Sequence, residues 1–412
     1  MKKIKVVHIC SSLDGGAGLC AARIMRYTSI LNIDNFALVK SGTKNDYVDI
    51  IETKKAKCRI IHFIQKILHH LHLWPRACRI SYKIEKGRQN QDIYGLFTSP
   101  ITEYRISEHP WISDADIIHI HWVGGFLDYK SFFNNIKKPI VWTMHDENAG
   151  LGGFHFTLWK KMSSKKGQEM DESMTLVKKE AYNHVMSMQL VAISSMMKDF
   201  ICHNNLLKGF PCTLIHNGID ENLFVLIDKE LAREALAIDK ERLVFIFVAY
   251  NIEDDRKGLN VLLSVLDSLN IQNTTLICLG HHTIIPQVTY EIRCEGIVNN
   301  TRLLSLYYSA ADLFIMPSYQ EAFAQTPLES MACGTPVVAF PCSGITDIIK
   351  PFNGIACSDF TPEALLEGIK KALDRQFNRN EIRKYVVDNF SYRKIAKQYV
   401  ELYKTILENE NK

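Results

Sequence analysis

Two glutamates, Glu321 and Glu329, stand eight positions apart in the segment SYQEAFAQTPLESMACGTPVVAF, residues 318–340. Thr326, Pro327 and Glu329 fit a helix start with Thr326 as the N-cap, so a structural role for Glu329 is that of a capping carboxylate. Glu321 has no such role, since it follows an apolar run that is typical of a strand. A carboxylate at that end of a strand can accept from ligand hydroxyls, and the amides of the next helix favour an anion. The segment therefore predicts a site for a ligand with both hydroxyl and phosphate groups.

A basic pair, Arg256 and Lys257, precedes Gly258 at the start of the amphipathic run in DDRKGLNVLL. Cations beside a helix N-terminus favour a diphosphate, whereas a surface turn is the alternative interpretation. A second glycine turn, formed by Gly15 and Gly16, lies between the first predicted strand and the first predicted helix. Glycines there allow a ligand to approach the backbone closely.

Histidines occur in two apolar segments, ADIIHIHWVGGF and VWTMHDENAGLGGFHF. Alternation along a strand places His119 and His121 on one face, so these two and His145 are a candidate metal set. Packing of His119 is the alternative, and we predict no metal site because no acidic cluster recurs nearby. His145 ends a predicted strand and precedes a glycine-rich loop, which favours a role in ligand binding.

Short apolar runs alternate with longer amphipathic ones, which predicts βαβ units and parallel sheets covered on both faces. The predicted strands are 4–10, 35–40, 115–123, 139–145, 242–250, 274–280, 311–318 and 335–340; the predicted helices are 18–31, 258–269, 301–310, one from Pro327, and 392–407. The pattern restarts after residue 217, and 412 residues are too many for one core. We therefore predict an α/β protein with two doubly wound parallel-sheet domains, 1–215 and 216–391. Residues 392–412 hold a final helix that could pack on either domain.

The composition excludes several classes of protein. Eleven scattered cysteines without a C-x-x-C pair indicate free thiols in a reducing compartment, and no apolar run is long enough to cross a membrane. The short N-terminal apolar run lacks a cleavage pattern, so it predicts a strand and not a signal peptide. A net charge of +4 gives no reason to expect a nucleic acid partner. We expect a cytoplasmic protein.

One basic segment, residues 54–88, interrupts the alternation. Within it, IIHFIQKILHHL (60–71) has the apolar spacing of an amphipathic helix. Such a helix either lies on an anionic membrane surface or covers the sheet of the first domain with its basic face in solvent. The first interpretation predicts a peripheral protein on the inner face of the plasma membrane.

The segment from Pro317 to Val338 resembles the E-x7-E signature of retaining glycosyltransferases of family 4, also called group 1. The resemblance extends over nearly the whole chain and implies the GT-B fold, in which two Rossmann-like domains face a cleft, with no cofactor and no required metal. In that family the first glutamate contacts the donor sugar and the second holds the ribose of the nucleotide, which implies these roles for Glu321 and Glu329. This sequence has Ala322 and Ala324 where the family usually has glycine.

The resemblance implies further donor contacts in the second domain. It places Lys257 on the diphosphate of the donor. Many members have an arginine several residues earlier, where this chain has Asn251, so Arg256 is a candidate for the second cation.

The remaining site residues also follow from the resemblance. Gly15 and Gly16 match a loop that contacts donor phosphate or acceptor, and Phe323 and Ala324 lie where backbone amides meet the donor. His145 matches a histidine that stabilises the donor sugar without acting as a nucleophile.

Together these features predict a retaining, metal-independent glycosyltransferase. It would move a hexose from a nucleotide-diphosphate sugar to an oligosaccharide acceptor, lipid-linked in surface polysaccharide synthesis. The sequence shows no carboxylate evidently aimed as a nucleophile, which favours a same-face displacement. An epimerase or phosphorylase of the same fold, and a sugar-nucleotide-binding protein without activity, are the alternatives.

Overall fold

A computed structural model describes residues 3–52, 76–323, 325–342 and 344–410 of the protein. Its internal contacts divide the chain into two compact units, Met1–Ile215 together with Ala396–Lys412, and His216–Ile395. The predicted boundary after residue 215 falls at the same position. The second unit runs to Ile395, whereas the predicted second domain ends at 391.

The first unit is built on one parallel sheet. Its elements are β1 (Ile4–Cys10), α1 (Gly15–Ile30), β2 (Ile33–Val39), β3 (Val48–Ile50), α2 (Arg76–Gln89), α3 (Pro110–Asp114), β4 (Ile117–Ile120), α4 (Tyr129–Asn135), β5 (Ile140–Met144), α5 (Thr157–Met162), α6 (Lys165–Tyr182), β6 (Met188–Ala192), α7 (Ser195–His203) and β7 (Cys212–Leu214). The sheet has seven strands in the order β3-β2-β1-β4-β5-β6-β7, and its neighbouring strands pair in parallel. The order reverses between β1 and β4, so loops after these strands lie at a switch point, where such sheets bind ligands.

The second unit repeats this plan. Its elements are α8 (Lys229–Ala235), β8 (Leu243–Asn251), a 3₁₀ turn (Asp255–Lys257), α9 (Leu259–Leu269), β9 (Thr274–His281), β10 (Glu291–Cys294), α10 (Thr301–Ala310), β11 (Leu313–Met316), α11 (Gln325–Ala332), β12 (Val337–Ala339), α12 (Ile345–Ile348), β13 (Gly354–Ala356), α13 (Pro362–Leu373), α14 (Arg379–Phe390) and the start of α15 (Tyr392–Glu410). The six-stranded sheet has the order β10-β9-β8-β11-β12-β13. Its switch point lies between β8 and β11. The loops after these strands carry Lys257 and Glu321.

Helices cover the second sheet because their apolar residues recur at helical spacing. Val265 and Leu266 of α9 and Leu365 and Ile369 of α13 are buried in one cluster with sheet residues such as Phe245. Such burial contributes on the order of 2 kcal/mol for each large side chain. The packing fixes where α9 begins, and thereby the position of the turn before it.

Two predicted helix starts need correction, and the structure decides between the two packings that were open for the final helix. α1 begins at Gly15 and not at residue 18, so the glycine pair lies in the first turn of the helix. α11 begins at Gln325 and not at Pro327. The final helix is shared between the units: its residues from Ala396 onward belong to the first unit, where Tyr399 is buried.

The basic segment is described only at its end. Residues 54–75, and with them the predicted helix at 60–71, lie outside the described residues. In α2, Ile84 is buried in a cluster with Phe97 and Phe154, while Lys83 and Lys86 are exposed. Among the described helices, none is both long enough and apolar enough to cross a membrane.

Candidate donor-binding site

Two loops of the second unit meet through a close backbone contact at Gly258. This glycine has φ +74°, and a Cβ atom there would lie 2.1 Å from the carbonyl oxygen of Pro317, so no other residue fits without strain. Next to this contact, the Tyr319 amide donates to the carbonyl of Arg256 at 2.9 Å. The contact holds the basic turn after β8 against the loop after β11.

The contact brings the predicted cations to Glu321. Lys257 Nζ lies 2.5 Å from Glu321 Oε1, and Arg256 Nη1 lies 3.9 Å from Glu321 Oε2. Arg256 also donates to the carbonyl of Gln320 at 3.1 Å and to Asp254 Oδ2 at 3.1 Å. The side chains of Lys257, Arg256 and Glu321 are 20%, 14% and 14% exposed, so all three charged groups are largely withdrawn from solvent.

The charges of this cluster govern the ionisation of Glu321. Burial raises its pKa, but Lys257 and Arg256 outweigh burial and hold the pKa of the carboxyl below its usual value. Glu321 is therefore ionised at neutral pH. A half-enclosed site with one carboxylate and two cations can bind a ligand that carries anionic and hydroxyl groups side by side.

Glu329 lies inside α11, and the predicted helix cap is wrong. Because the helix begins at Gln325, Thr326 is in its first turn and is not its N-cap. Glu329 accepts a hydrogen bond from the hydroxyl of buried Tyr308 at 3.1 Å. Burial and the charge of Glu329 raise the pKa of Tyr308, so its hydroxyl stays protonated and donates.

Phe323 packs inside the loop that precedes α11. Its side chain is 7% exposed, and a Cβ atom at Gly344 would lie 2.6 Å from Phe323 Cδ2. The Phe323 ring also lies 6.0 Å from the ring of His216. Ala322 is buried, and Ala324 lies outside the described residues. Phe323 thus anchors the loop from within the second unit.

In the first unit, Gly15 and Gly16 begin α1 with open space around them. Gly15 has φ +73°, and a Cβ atom at either glycine would meet nothing within 4 Å. The side chain of Asp14, at the N-cap, makes no capping hydrogen bond to the helix. The first amides of a helix have no partner within it, so this turn can donate to an anionic ligand. Gly18 is tighter, since its Cβ would lie 2.4 Å from the carbonyl oxygen of Ser12.

His145 directly follows β5, whereas the sequence predicted it as the last residue of that strand, and it is half-buried. Its Nε2 lies 3.2 Å from Nδ1 of His121. Burial lowers the pKa of His145 to about 4, although the charge of Asp146 partly opposes this, so the imidazole is neutral at pH 7. Asp146 in turn lies 2.6 Å from Trp122 Nε1 and 2.5 Å from His155 Nδ1. These contacts fix the loop on which His145 stands.

The histidines that lie close enough to share a metal differ from the set considered in the sequence. Within the described part of the chain, the group is His8, His119 and His121, and His145 is not in it. The nitrogens of His119 are 2.8 Å from Thr143 Oγ1 and 2.7 Å from a tyrosine hydroxyl of α15. A metal bound there would have to break hydrogen bonds in a fully buried cluster.

Several residues of the site were not found from the sequence. The role of Gly258 depends on the carbonyl oxygen of Pro317 in a distant loop, and that of Gly18 on the fold of the preceding turn at Ser12 and Leu13, so no residue pattern shows either. Asp146 was adjacent to a predicted residue, and its acidic side chain after a strand was a usable signal. Tyr308 carried no signal, because its hydroxyl meets Glu329 only after α10 and α11 have packed.

Comparison with known proteins relates part of the chain to a family of glycosyltransferases. Residues 228–389 match the family model of glycosyl transferases group 1, and this stretch contains Lys257, Glu321 and Glu329. An uncharacterized glycosyltransferase of Methanocaldococcus jannaschii is 26% identical over 317 residues, covering 72% of this chain and 77% of that protein. A GDP-mannose-dependent alpha-(1-6)-phosphatidylinositol dimannoside mannosyltransferase of Mycobacterium tuberculosis is 34% identical over 80 residues, or 19% of this chain and 21% of that protein.

Solved structures of glycosyltransferases share the fold over the full chain. Sucrose-phosphate synthase from Thermosynechococcus elongatus has a TM-score of 0.68 at 16% identity and covers 99% of this chain and 100% of its own. HepE from Anabaena, solved with UDP and glucose, has a TM-score of 0.64 at 15% identity, with 98% and 100% covered. The chain thus has the fold of GT-B glycosyltransferases, it is similar in sequence to glycosyltransferases, and its residues 228–389 match the group 1 family model.

Proposed function

We propose that this protein is a retaining, metal-independent glycosyltransferase of family 4. It transfers a hexose from a nucleotide-diphosphate sugar to an oligosaccharide acceptor, which is lipid-linked in surface polysaccharide synthesis. The observation that carries the proposal is the contact of Lys257 with Glu321 inside the group 1 domain.

The geometry of that contact fits the chemistry of the donor. Lys257 Nζ and Glu321 Oε1 lie 2.5 Å apart, so a ligand that engages both must present an anion next to a hydroxyl. The junction of a diphosphate with a hexose has this arrangement. Its phosphoryl oxygens would accept from Lys257 and Arg256, and a sugar hydroxyl would donate to Glu321.

The same residues would lower the barrier to transfer. Negative charge accumulates on the diphosphate as the glycosidic bond breaks, and cations already held in place stabilise that charge. Lys257 and Arg256 supply this charge compensation, which supports a reaction without a metal. Glu329 would hold the ribose. Within the first unit, Gly15 and Gly16 are proposed to bind phosphate or acceptor, and neutral His145 is proposed to bind a sugar hydroxyl.

The relatives support a nucleotide sugar as the donor. HepE was solved with UDP and glucose, and the name of the mycobacterial mannosyltransferase specifies GDP-mannose. The base and the hexose used here are open to a direct screen. Nucleoside diphosphates and their sugars are added to the purified protein, and a ligand at 100 times its Kd should stabilise the fold by about 2.7 kcal/mol.

Turnover separates the proposal from its alternatives. The labelled donor found in the screen is incubated with and without an oligosaccharide acceptor, and with a chelator, and the anomer of the product is assigned by NMR. Acceptor-dependent transfer with retention in the presence of chelator supports the proposal. Change of the donor without acceptor indicates an epimerase, a requirement for phosphate indicates a phosphorylase, and binding without turnover indicates a binding protein.

A lipid-linked acceptor would bring the protein to a membrane surface, which we include in the proposal. α2 supports this arrangement, because its Ile84 anchors it to the first unit while Lys83, Lys86 and Arg88 are exposed. Flotation with vesicles of anionic lipid should recover the protein at low salt and less of it at high salt. Vesicles of neutral lipid are the control, and equal recovery on both kinds would reject electrostatic attachment.

A further inference from the structure

Buried Asn35 in β2 has a side chain whose orientation is fixed by its partners. Its Nδ2 donates to the carbonyl oxygen of Met25 at 3.0 Å and contacts the hydroxyls of Thr28 at 3.0 Å and Ser29 at 2.9 Å. Because a carbonyl can only accept, the nitrogen must face Met25 and the oxygen must face away. Asn35 Oδ1 lies 2.9 Å from Nε2 of His8, so His8 carries its proton on Nε2.

The protonation of His8 on Nε2 determines which nitrogen carries the proton in the two histidines that follow it in a row. Nε2 of His121 lies 2.9 Å from Nδ1 of His8, and Nε2 of His145 lies 3.2 Å from Nδ1 of His121. Burial lowers the pKa of all three imidazoles, so each is neutral and has one donor and one acceptor nitrogen. Since His8 Nδ1 accepts, His121 must donate from Nε2 and accept at Nδ1. His145 must then donate from Nε2 as well.

We propose that Asn35, His8 and His121 are positioning residues that lock His145 in the Nε2–H tautomer and present its Nδ1 as a hydrogen-bond acceptor. Among the described residues, none hydrogen-bonds to Nδ1 of His145. A ligand hydroxyl can donate to this nitrogen, whereas a phosphate oxygen cannot. The identity of that hydroxyl, on a sugar, rests on the proposed function, but the tautomer does not.

The topology of the first sheet builds this row, here named the imidazole chain. Asn35 comes from β2, His8 from β1, His121 follows β4 and His145 follows β5, and these four strands are neighbours in this order. Residues that are far apart in the sequence therefore meet in a line. Buried polar groups are costly unless satisfied, and here each member satisfies the next.

The imidazole chain orients a proton but does not transport one. A proton passing inward from His145 would have to leave at Asn35. The amide there has its oxygen engaged as an acceptor, and it cannot release a proton from Nδ2 at ordinary pH. The arrangement is therefore static, and His145 cannot exchange its proton through this route during a reaction.

The tautomer can be read directly from the ¹⁵N NMR signals of the imidazoles in the full-length protein at pH 7. His145→Gln assigns the signals by removing them. We expect a protonated Nε2 and an unprotonated Nδ1 for His145 in the wild type. The opposite tautomer, or a rapidly averaging pair, would overturn the proposal. The tautomer itself is read in the wild type, and His145→Gln is used only to assign its signals.

His8→Phe then tests the coupling along the chain. Without the acceptor on residue 8, His121 can move its proton to Nδ1 and donate to His145, whose own proton must move to Nδ1. We expect the ¹⁵N signals to show His145 protonated on Nδ1 and unprotonated on Nε2. We also expect kcat/KM to fall about tenfold, as for one lost hydrogen bond. Unchanged His145 signals in the folded variant would refute the coupling.

Tyr403→Phe is the matched control. It removes a hydrogen bond to His119, another fully buried histidine of the same sheet that is outside the imidazole chain. The His145 signals should stay as in the wild type, and a change in them would show that the NMR readout reports general disturbance. Adding donor sugar should shift Nδ1 of His145, whereas the nucleoside diphosphate alone should not.

The two proposals can fail separately. The expected tautomer in a protein without transfer activity would refute the proposed function and leave the imidazole chain intact. Transfer activity with His145 protonated on Nδ1 would refute the imidazole chain and leave the proposed function intact.

Discussion

Lys257→Ala removes the nearer of the two cations from Glu321 and leaves a largely buried carboxylate. Deleting one partner of a buried ion pair costs about 3–5 kcal/mol. Arg256 remains 3.9 Å from the same carboxylate, so we expect the lower end of this range, about 3 kcal/mol, in urea denaturation at pH 7. Lys384→Ala is the control, because it breaks an exposed pair with Asp388 in the same unit and should cost less than about 1 kcal/mol.

The double variant Lys257→Ala/Glu321→Gln separates stability from activity. Glu321→Gln removes the stranded charge, so the double variant should be more stable than Lys257→Ala by about 1–2 kcal/mol. Transfer should not recover, because both donor contacts are then missing; each single change, Lys257→Ala or Glu321→Ala, lowers kcat/KM by at least about tenfold. If Lys257→Ala lost activity only because it unfolds, the double variant would regain stability and transfer activity together.

The stability that Lys257→Ala loses should depend on pH in a definite direction. The pKa of Glu321 is lowered in the folded wild type, so its contribution to stability is complete above the usual carboxyl pKa and is lost as the pH falls through the lowered value. The stability gap between the wild type and Lys257→Ala should therefore narrow in acid. Two results would refute the reasoning from a buried ion pair. One is that Lys257→Ala lowers the free energy of unfolding at pH 7 by no more than Lys384→Ala does. The other is that the double variant Lys257→Ala/Glu321→Gln is less stable than Lys257→Ala alone.

Three further predictions concern single positions. Gly258→Ala should lower the free energy of unfolding by more than about 2 kcal/mol, since it forces φ +74° on alanine and a contact with the Pro317 carbonyl; a variant as stable as the wild type would contradict this. Glu329→Gln should keep an acceptor for Tyr308 and hence the stability, but calorimetry should show about tenfold weaker binding of the nucleoside diphosphate; equal affinity would exclude the ribose contact. Burial lowers the pKa of His8 to about 4, so the unfolded chain takes up a proton that the folded chain does not, and His8 alone should remove about 2 kcal/mol of stability between pH 7 and pH 5. His8→Phe should lose correspondingly less stability than the wild type between pH 7 and pH 5. An equal loss of stability in both proteins would contradict the lowered pKa of His8.

The sequence predicted the fold best where apolar runs are long. β1 and α10 have the predicted bounds, because an uninterrupted buried run and a complete amphipathic turn pattern define them locally. Strands such as β7 and β13 have three residues each and were missed, since so short a run gives no periodic signal. Their place is set by the neighbouring strand and not by their own sequence.

The site was predicted in its members but not in its contacts. Glu321 and Lys257 could be named because each follows a strand whose carboxyl end lies at a switch point. Their pairing could not, because they are 64 residues apart and meet only through the approach of Gly258 to the next loop. Asn35 and His8 were missed for the same reason. Each is an isolated polar residue in an apolar strand, and its hydrogen-bond partner lies on a neighbouring strand that only the sheet order identifies.

The last helix has a consequence for the order in which the protein is made. The hydroxyls of Tyr399 and Tyr403 lie against Thr143 and His119, across sequence separations of 256 and 284 residues. A nascent chain therefore holds all of the second unit, His216–Ile395, before it holds the residues that complete the first. Closing such long loops is slow, so we expect the first unit to finish folding after the second, once α15 has been synthesised.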